Sequence, residues 1–248
     1  ARSSHAMAYD SSRGKVVLFG GGYDETWEWD GTSWALKIPT DPEDDGNPSA
    51  QYYHAMAYDS VRSKVVLFGG YAGGYNNETW EWDGTSWALK TPTDPEGDGN
   101  PTARSSHAMA YDSVRRKVVL FGGYNNSSGS NNETWEWDGT SWALKTPADP
   151  EDDGNPTARY LHAMAYDSAR GKVVLFGGHT GSYNAETWEW DGTSWALKTP
   201  ADPEGDGNPS ARYKHAMAYD SVRSKVVLFG GYNSSYNNAT WEWDGTGW

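Results

Sequence analysis

Short apolar runs separated by polar turns recur along this chain, and helical periodicity is nearly absent from it. In the first fifty residues SHAMAYD and KVVLFGG are β-type runs joined by the polar turn SSRG. TWEWD then alternates strictly, with Trp27 and Trp29 on one face and Glu28 and Asp30 on the other, which predicts a third strand. The Asp30-Gly31 pair supplies the positive φ that a tight hairpin requires, and TSWALK is the fourth strand. Lys37 sits on that outer strand, where a charge discourages edge pairing between molecules.

The whole pattern is then rewritten four more times. HAMAYDSVRSKVVLFGGY stands unchanged at His54 to Tyr71 and at His215 to Tyr232, and close relatives start at His5, His107 and His162, at spacings of 49, 53, 55 and 53 residues. ETWEWDGTSWALK is identical in copies one to four. A period near fifty built from four short strands predicts a propeller, each repeat being one blade that cannot bury its own faces alone. The fold class expected is all-β, a five-bladed β-propeller of four-stranded antiparallel blades in one domain, 1–248. The repeats fall at approximately 1–49, 50–102, 103–157, 158–210 and 211–248. Closure by blade packing into a monomeric ring is expected, the alternative being a five-repeat excerpt of a longer array.

Four further features recur in order in the copies. They are the doublets Gly20-Gly21, Gly69-Gly70, Gly122-Gly123, Gly177-Gly178 and Gly230-Gly231, an aromatic before the third-strand Asp, a Trp soon after it, and an RxxH start. This set resembles the kelch repeat over the whole chain. Two departures are visible: Trp29, Trp82, Trp137, Trp190 and Trp243 stand where the family commonly has Tyr, and Gln51 replaces the Arg of copy two. Kelch propellers usually have six or seven blades, and this chain carries five. The resemblance implies that strand one is innermost, that the mouth of the central channel contacts a partner, and that the protein is a non-catalytic binding scaffold.

Comparison among the copies locates variation. The first and third connections barely change, whereas the second reads GYDE, YAGGYNNE, YNNSSGSNNE, HTGSYNAE and YNSSYNNA. The two residues before each repeat His also differ: Ser3-Ser4, Tyr52-Tyr53, Ser105-Ser106, Tyr160-Leu161 and Tyr213-Lys214. In an up-and-down blade both variable segments emerge on one face. Arg2, Tyr52, Tyr53, Arg104, Arg159, Tyr160, Arg212, Tyr213, Lys214 and His179 are therefore the expected ligand contacts, since Tyr and Arg dominate interface energetics. Drift in unconstrained loops is the competing reading.

Charge adds one candidate and removes several classes. The loops DPEDDGN, DPEGDGN, DPEDDGN and DPEGDGN hold 14 carboxylates, equal to the whole net charge of -14. No basic stripe exists to neutralise phosphates, so nucleic acid is not expected as a partner, and an anionic membrane surface would repel these loops. No apolar run reaches the roughly 20 residues that span a bilayer, so a soluble chain is expected, with its compartment undetermined. Cysteine is absent, which removes disulfides and thiolate chemistry. Asp41, Glu43 and Asp45 before Gly46 match the opening of a calcium loop, as do Asp94, Glu96, Asp98, then Asp149, Glu151, Asp153, then Asp202, Glu204, Asp206. The bidentate Glu of such loops is missing, Tyr52, Ser105, Tyr160 and Tyr213 standing there, so no cofactor is required and a solvated acidic loop is the alternative to calcium.

The five repeat histidines are expected to satisfy backbone groups at the start of buried strands rather than hold a metal, and the Trp residues to form core. No Ser/His/Asp set stands out from the repeat background. Protein or peptide recognition leads the functional readings. A glycan-binding, lectin-like propeller comes next, then a designed or recently amplified repeat without ligand, with an enzyme last.

Overall fold

The computed structural model describes residues 1–202, 205 and 207–248. Each repeat folds as one antiparallel sheet in chain order. Blade one comprises His5–Asp10, Lys15–Gly20, Thr26–Trp29 and Trp34–Lys37. Blade two comprises Ala55–Asp59, Lys64–Phe68, Thr79–Trp82 and Trp87–Lys90. Blade three comprises Ala108–Asp112, Lys117–Phe121, Thr134–Trp137 and Trp142–Lys145, and blade four Ala163–Asp167, Lys172–Phe176, Thr187–Trp190 and Trp195–Lys198. Blade five has Tyr213–Asp220, Lys225–Tyr232 and Thr240–Trp243, with Trp248 in the fourth-strand position. The Asp-Gly hairpins form as the sequence predicts, each Asp accepting two backbone N–H bonds across the turn, as Asp83 does from Thr85 and Ser86 at 2.8 and 2.9 Å.

The core lies between blades. At the junction of blades two and three, Ala55, Ala57, Val66 and Phe68 pack on Met109, Val118, Leu120, Trp135, Trp137 and Trp142. The same faces meet at the junctions of blades one with two, three with four and four with five. From blade two onward the fourth-strand Trp donates its indole N–H to a threonine of the preceding blade, Trp142 to Thr79 Oγ1 at 2.9 Å. In the same blades the second third-strand Trp donates likewise to a glutamate, Trp137 to Glu81 Oε1 at 3.1 Å. The first glycine of the doublet serves this junction in blades one to four: with φ +69, Gly122 lies so close to the next blade that a Cβ there would come within 2.6 Å of the Arg159 carbonyl.

The expected closed ring is corrected by the fifth junction. Among the described residues, none of these contacts links blade five to blade one. Trp34 is 43% exposed while Trp87, Trp142 and Trp195 are fully buried, and Phe229 is 54% exposed while its four counterparts are buried. The five blades form a propeller whose seam between the last and first is open.

Candidate functional site

All five first strands line a central channel. At one mouth lies a cavity of about 540 Å³, walled by Ser4, Tyr53, Ser106, Leu161 and Lys214 above the five repeat histidines, with Tyr236 at its rim. The five wall residues share a backbone conformation, φ between +57 and +59. That left-handed geometry costs a non-glycine residue about 1–2 kcal/mol. At another recurrent left-handed position, in the first connection, two copies use glycine (Gly14, Gly171) and three do not (Ser63, Arg116, Ser224). At the mouth no copy uses glycine. The chain thus keeps a Ser, Tyr, Leu or Lys side chain facing the cavity at a conformational cost in every blade. The same residues link the blades, since Tyr53 N–H donates to Ser4 O at 2.9 Å, Ser106 to Tyr53, Leu161 to Ser106 and Lys214 to Leu161.

The arginines predicted at the mouth are corrected. Arg104, Arg159 and Arg212 are fully buried, and so is Gln51. Arg104 donates to Gly122 O at 3.1 Å, Thr102 O at 2.9 Å and Glu133 Oε2 at 2.6 Å, and Arg159 repeats this with Gly177, Thr157 and Glu186. Arg212 donates to Gly230 O and Ser210 O, Ala239 standing where the other copies have glutamate. Arg2 is half-buried, donating to Gly20 O and Glu25, with its guanidinium 4.9 Å from the Tyr23 ring centre. A guanidinium at this point finds a ready acceptor in the doublet glycine carbonyl, so it fastens the inter-blade loop to the blade it enters rather than facing solvent.

The tyrosines lie together on this face with others beside them. Tyr52, Tyr53 and Lys214 are exposed, and Tyr160, Tyr213 and His179 are half-buried. Aromatic rings run edge to edge along this face: Tyr71 to Tyr75 at 5.3 Å, Tyr75 to Tyr124 at 6.2 Å, Tyr124 to Tyr160 at 5.3 Å, and Tyr160 to His179 at 5.1 Å. The arc continues through Tyr183 and Tyr213, stacked at 5.4 Å, to Tyr232 and Tyr236. Tyr71, Tyr75, Tyr124, Tyr183, Tyr232 and Tyr236 escaped the sequence reading. The signal was present: Tyr71/Tyr75, His179/Tyr183 and Tyr232/Tyr236 each stand four apart, the spacing at which the second connection turns back and pairs with itself.

The histidines are also corrected in role. His54, His107, His162 and His215 pack edge-on against Phe19, Phe68, Phe121 and Phe176 of the preceding blade at 5.4–5.6 Å. None of their ring nitrogens has a well-aligned hydrogen-bond partner among the described residues. Burial drives His54, His107 and His215 down to about 3, and His162 well below its ordinary value, so all four are neutral.

The acidic loops spend several of their carboxylate oxygens on backbone N–H groups. Asp41 accepts the N–H groups of Asp45 and Gly46 at 3.1 Å, Asp94 those of Asp98 and Gly99, Asp149 those of Asp153 and Gly154, and Asp202 that of Gly207. Asp45, Asp98 and Asp153 instead reach the outer strand of the next blade, accepting from the N–H of Leu89, Leu144 and Leu197 at 2.8–2.9 Å. Glu43, Glu96 and Glu151 are exposed, while Glu204 and Asp206 lie outside the described residues. Among the described residues no three acidic or histidine groups converge as a metal set. These loops tie blades together at the outer rim, far along the blade from the inner strands. A calorimetric titration in about 150 mM salt is expected to show no saturable calcium uptake, and stoichiometric binding there would refute this reading.

The model of the KLHDC2/KLHL20/DRC7 kelch-repeats domain matches residues 32–152 of this chain. That match and the repeated four-stranded blades both agree with a kelch-repeat β-propeller. A solved structure of YjhT shares the fold with this kelch propeller at 12% identity and a TM-score of 0.66, covering 96% of this chain and 80% of that one. Propellers of the kelch family commonly mediate protein interactions.

Proposed function

We propose that this kelch propeller is a non-catalytic scaffold that binds a protein or peptide segment across the aromatic mouth. The observation that carries the reading is the arc of rings from Tyr71 to Tyr236 beside a cavity walled by five non-glycine left-handed residues. Tyrosine offers large contact area with few rotors to immobilise, and its hydroxyl can pair with a backbone amide of the bound segment. Lys214, with its ammonium 5.5 Å from the Tyr213 ring centre, places a cation at the rim of the cavity.

A peptide display selection run alongside a glycan array tests this. Peptides are expected to enrich, and Tyr160→Ala or Tyr213→Ala should weaken a selected peptide by roughly 1 kcal/mol or more while Tyr52→Ala, at the edge of the arc, does less. Melting should change by about 0.5 kcal/mol or less for the exposed Tyr52 and Tyr53. Enrichment of glycans alone, or peptide affinity indifferent to Tyr160 and Tyr213, would contradict the assignment.

A further inference from the structure

Blades one to four each place a glutamate at the end of the second connection, and three of them pair it with the arginine that opens the repeat. Glu25 pairs with Arg2, Glu133 with Arg104 and Glu186 with Arg159, at 2.6–2.9 Å. Blade two keeps the glutamate, Glu78, but has Gln51 in place of the arginine. Among the described residues Glu78 enters no ion pair, and it is exposed where Glu25, Glu133 and Glu186 are half-buried. It still accepts the Trp80 indole N–H at 2.9 Å, as Glu133 accepts that of Trp135 and Glu186 that of Trp188, so its carboxylate is held as theirs are.

Blades three and four show what this position holds. The Arg104 guanidinium donates to Gly122 O, Thr102 O, Thr102 Oγ1 and Glu133 Oε2 at 2.6–3.1 Å, and Arg159 finds the same four acceptors in its own blade. In blade five Arg212 is fully buried on Gly230 O and Ser210 although Ala239 offers no carboxylate, so carbonyls and a serine hydroxyl already seat a guanidinium. The corresponding acceptors of blade two are Gly69 O, Ser49 O, Ser49 Oγ and Glu78. Gln51 is shorter than arginine and has fewer N–H donors. Its Oε1 is buried without a hydrogen-bond partner, since a site assembled from acceptors offers an amide oxygen no donor. A cavity of about 330 Å³ borders Ser49, Tyr75, Asn76 and Glu78.

Blade two thus lacks a cation and keeps the means to hold one. Tyr75, on the cavity wall, is also a ring of the aromatic arc, 5.3 Å from Tyr71 and 6.2 Å from Tyr124, so the cavity adjoins that face. The net charge of -14 favours the approach of a cationic group. We propose that the blade-two cavity binds the guanidinium of an arginine side chain on the partner, held by Glu78 and Ser49 as Glu133 and Thr102 hold Arg104. That the side chain comes from a protein or peptide rests on the function proposed for the arc; the guanidinium site stands on blade two alone. Arginine is favoured over lysine, because a planar fork meets carboxylate and carbonyl together and a compact ammonium does not.

Trp80 reports on the site, because its indole N–H is bonded to Glu78. N-acetyl-arginine amide is titrated into the nitrogen-labelled chain at constant ionic strength and followed by nuclear magnetic resonance, with N-acetyl-citrulline amide as the uncharged control and Trp80→Phe to identify the resonance. The Trp80 indole signal should shift saturably with the arginine probe at about 1–10 mM and not with the citrulline probe. Glu78→Gln should weaken the response by about tenfold or more. Gln51→Arg should abolish it and raise the melting temperature, because the chain then supplies its own guanidinium. Peptides selected on the arc should carry an arginine whose replacement by citrulline weakens them by about tenfold or more in the parent and changes little in Gln51→Arg. No saturable shift up to about 50 mM, an equal shift with the citrulline probe, or a lowered melting temperature for Gln51→Arg overturns the site. Selected peptides indifferent to the citrulline replacement overturn arginine as the partner's anchor. If no peptide is selected while the arginine probe binds, the protein-binding function falls and the guanidinium site stands.

Discussion

Acidification from pH 7 to about 5 is expected to lower the melting temperature steeply, well before carboxylates titrate. The cause is the histidine layer beneath the mouth. His54, His107 and His215 are held at about 3 in the folded chain, first by burial and then, for His107 and His215, by the nearby cations Arg104 and Arg212. His162 is displaced in the same direction by burial and Arg159. In the unfolded chain each returns to about 6.5. A base whose folded value is depressed contributes its full stability above the unfolded value. That contribution drains away as pH falls from about 6.5 toward 3, because only the unfolded chain takes up the proton. Each such histidine drains about 1.4 kcal/mol per pH unit, so four together reach the order of 5 kcal/mol per unit, comparable within two units to the whole stability of an ordinary domain. Thermal melts by near-ultraviolet circular dichroism at pH 7.5, 6.5, 5.5 and 5.0 read this directly. His107→Gln should flatten the slope by about a quarter. A melting temperature level between pH 7 and 5 would show that the imidazoles can be charged in place.

Identical residues in identical local sequence should differ severalfold in their contribution to stability. Trp137→Ala is expected to cost about 3–5 kcal/mol, because the indole is fully buried between blades two and three and its N–H satisfies Glu81, which also accepts from Arg62. Trp34→Ala should cost about 1 kcal/mol or less, since the ring lies on the open side of blade one and makes no bond to a threonine. Urea unfolding of the two variants against the parent separates them. Equal losses would mean that the seam is closed in solution.

The strand architecture was legible in the sequence because its determinants are local. Period-two alternation in TWEWD, the Asp-Gly hairpin and the glycine doublet each constrain a few consecutive residues, and five copies in order left one consistent topology. Exposure of Tyr52, Tyr53 and Lys214 was legible too, because variation at fixed length marks positions free of packing. The roles of Arg104, Arg159 and Arg212 were not. A repeat-start arginine looks the same whether its guanidinium faces solvent or a glycine carbonyl eighteen residues on, and only the fold brings that carbonyl within 3.1 Å. The bonds of Asp45, Asp98 and Asp153 were hidden for a similar reason: their partners are backbone amides 44–46 residues away.

The sequence by itself determined five β blades, their strand registers and the face on which the copies differ, since each follows from interactions within one repeat. The tertiary structure alone decided which side chains are core, how the tyrosines join into one arc and that the seam stays open. Within ETWEWDGTSWALK, Trp34 and Trp142 have the same neighbours in sequence; one is exposed and the other buried because burial of a blade face requires another blade beside it, and that is a property of the assembly rather than of the repeat.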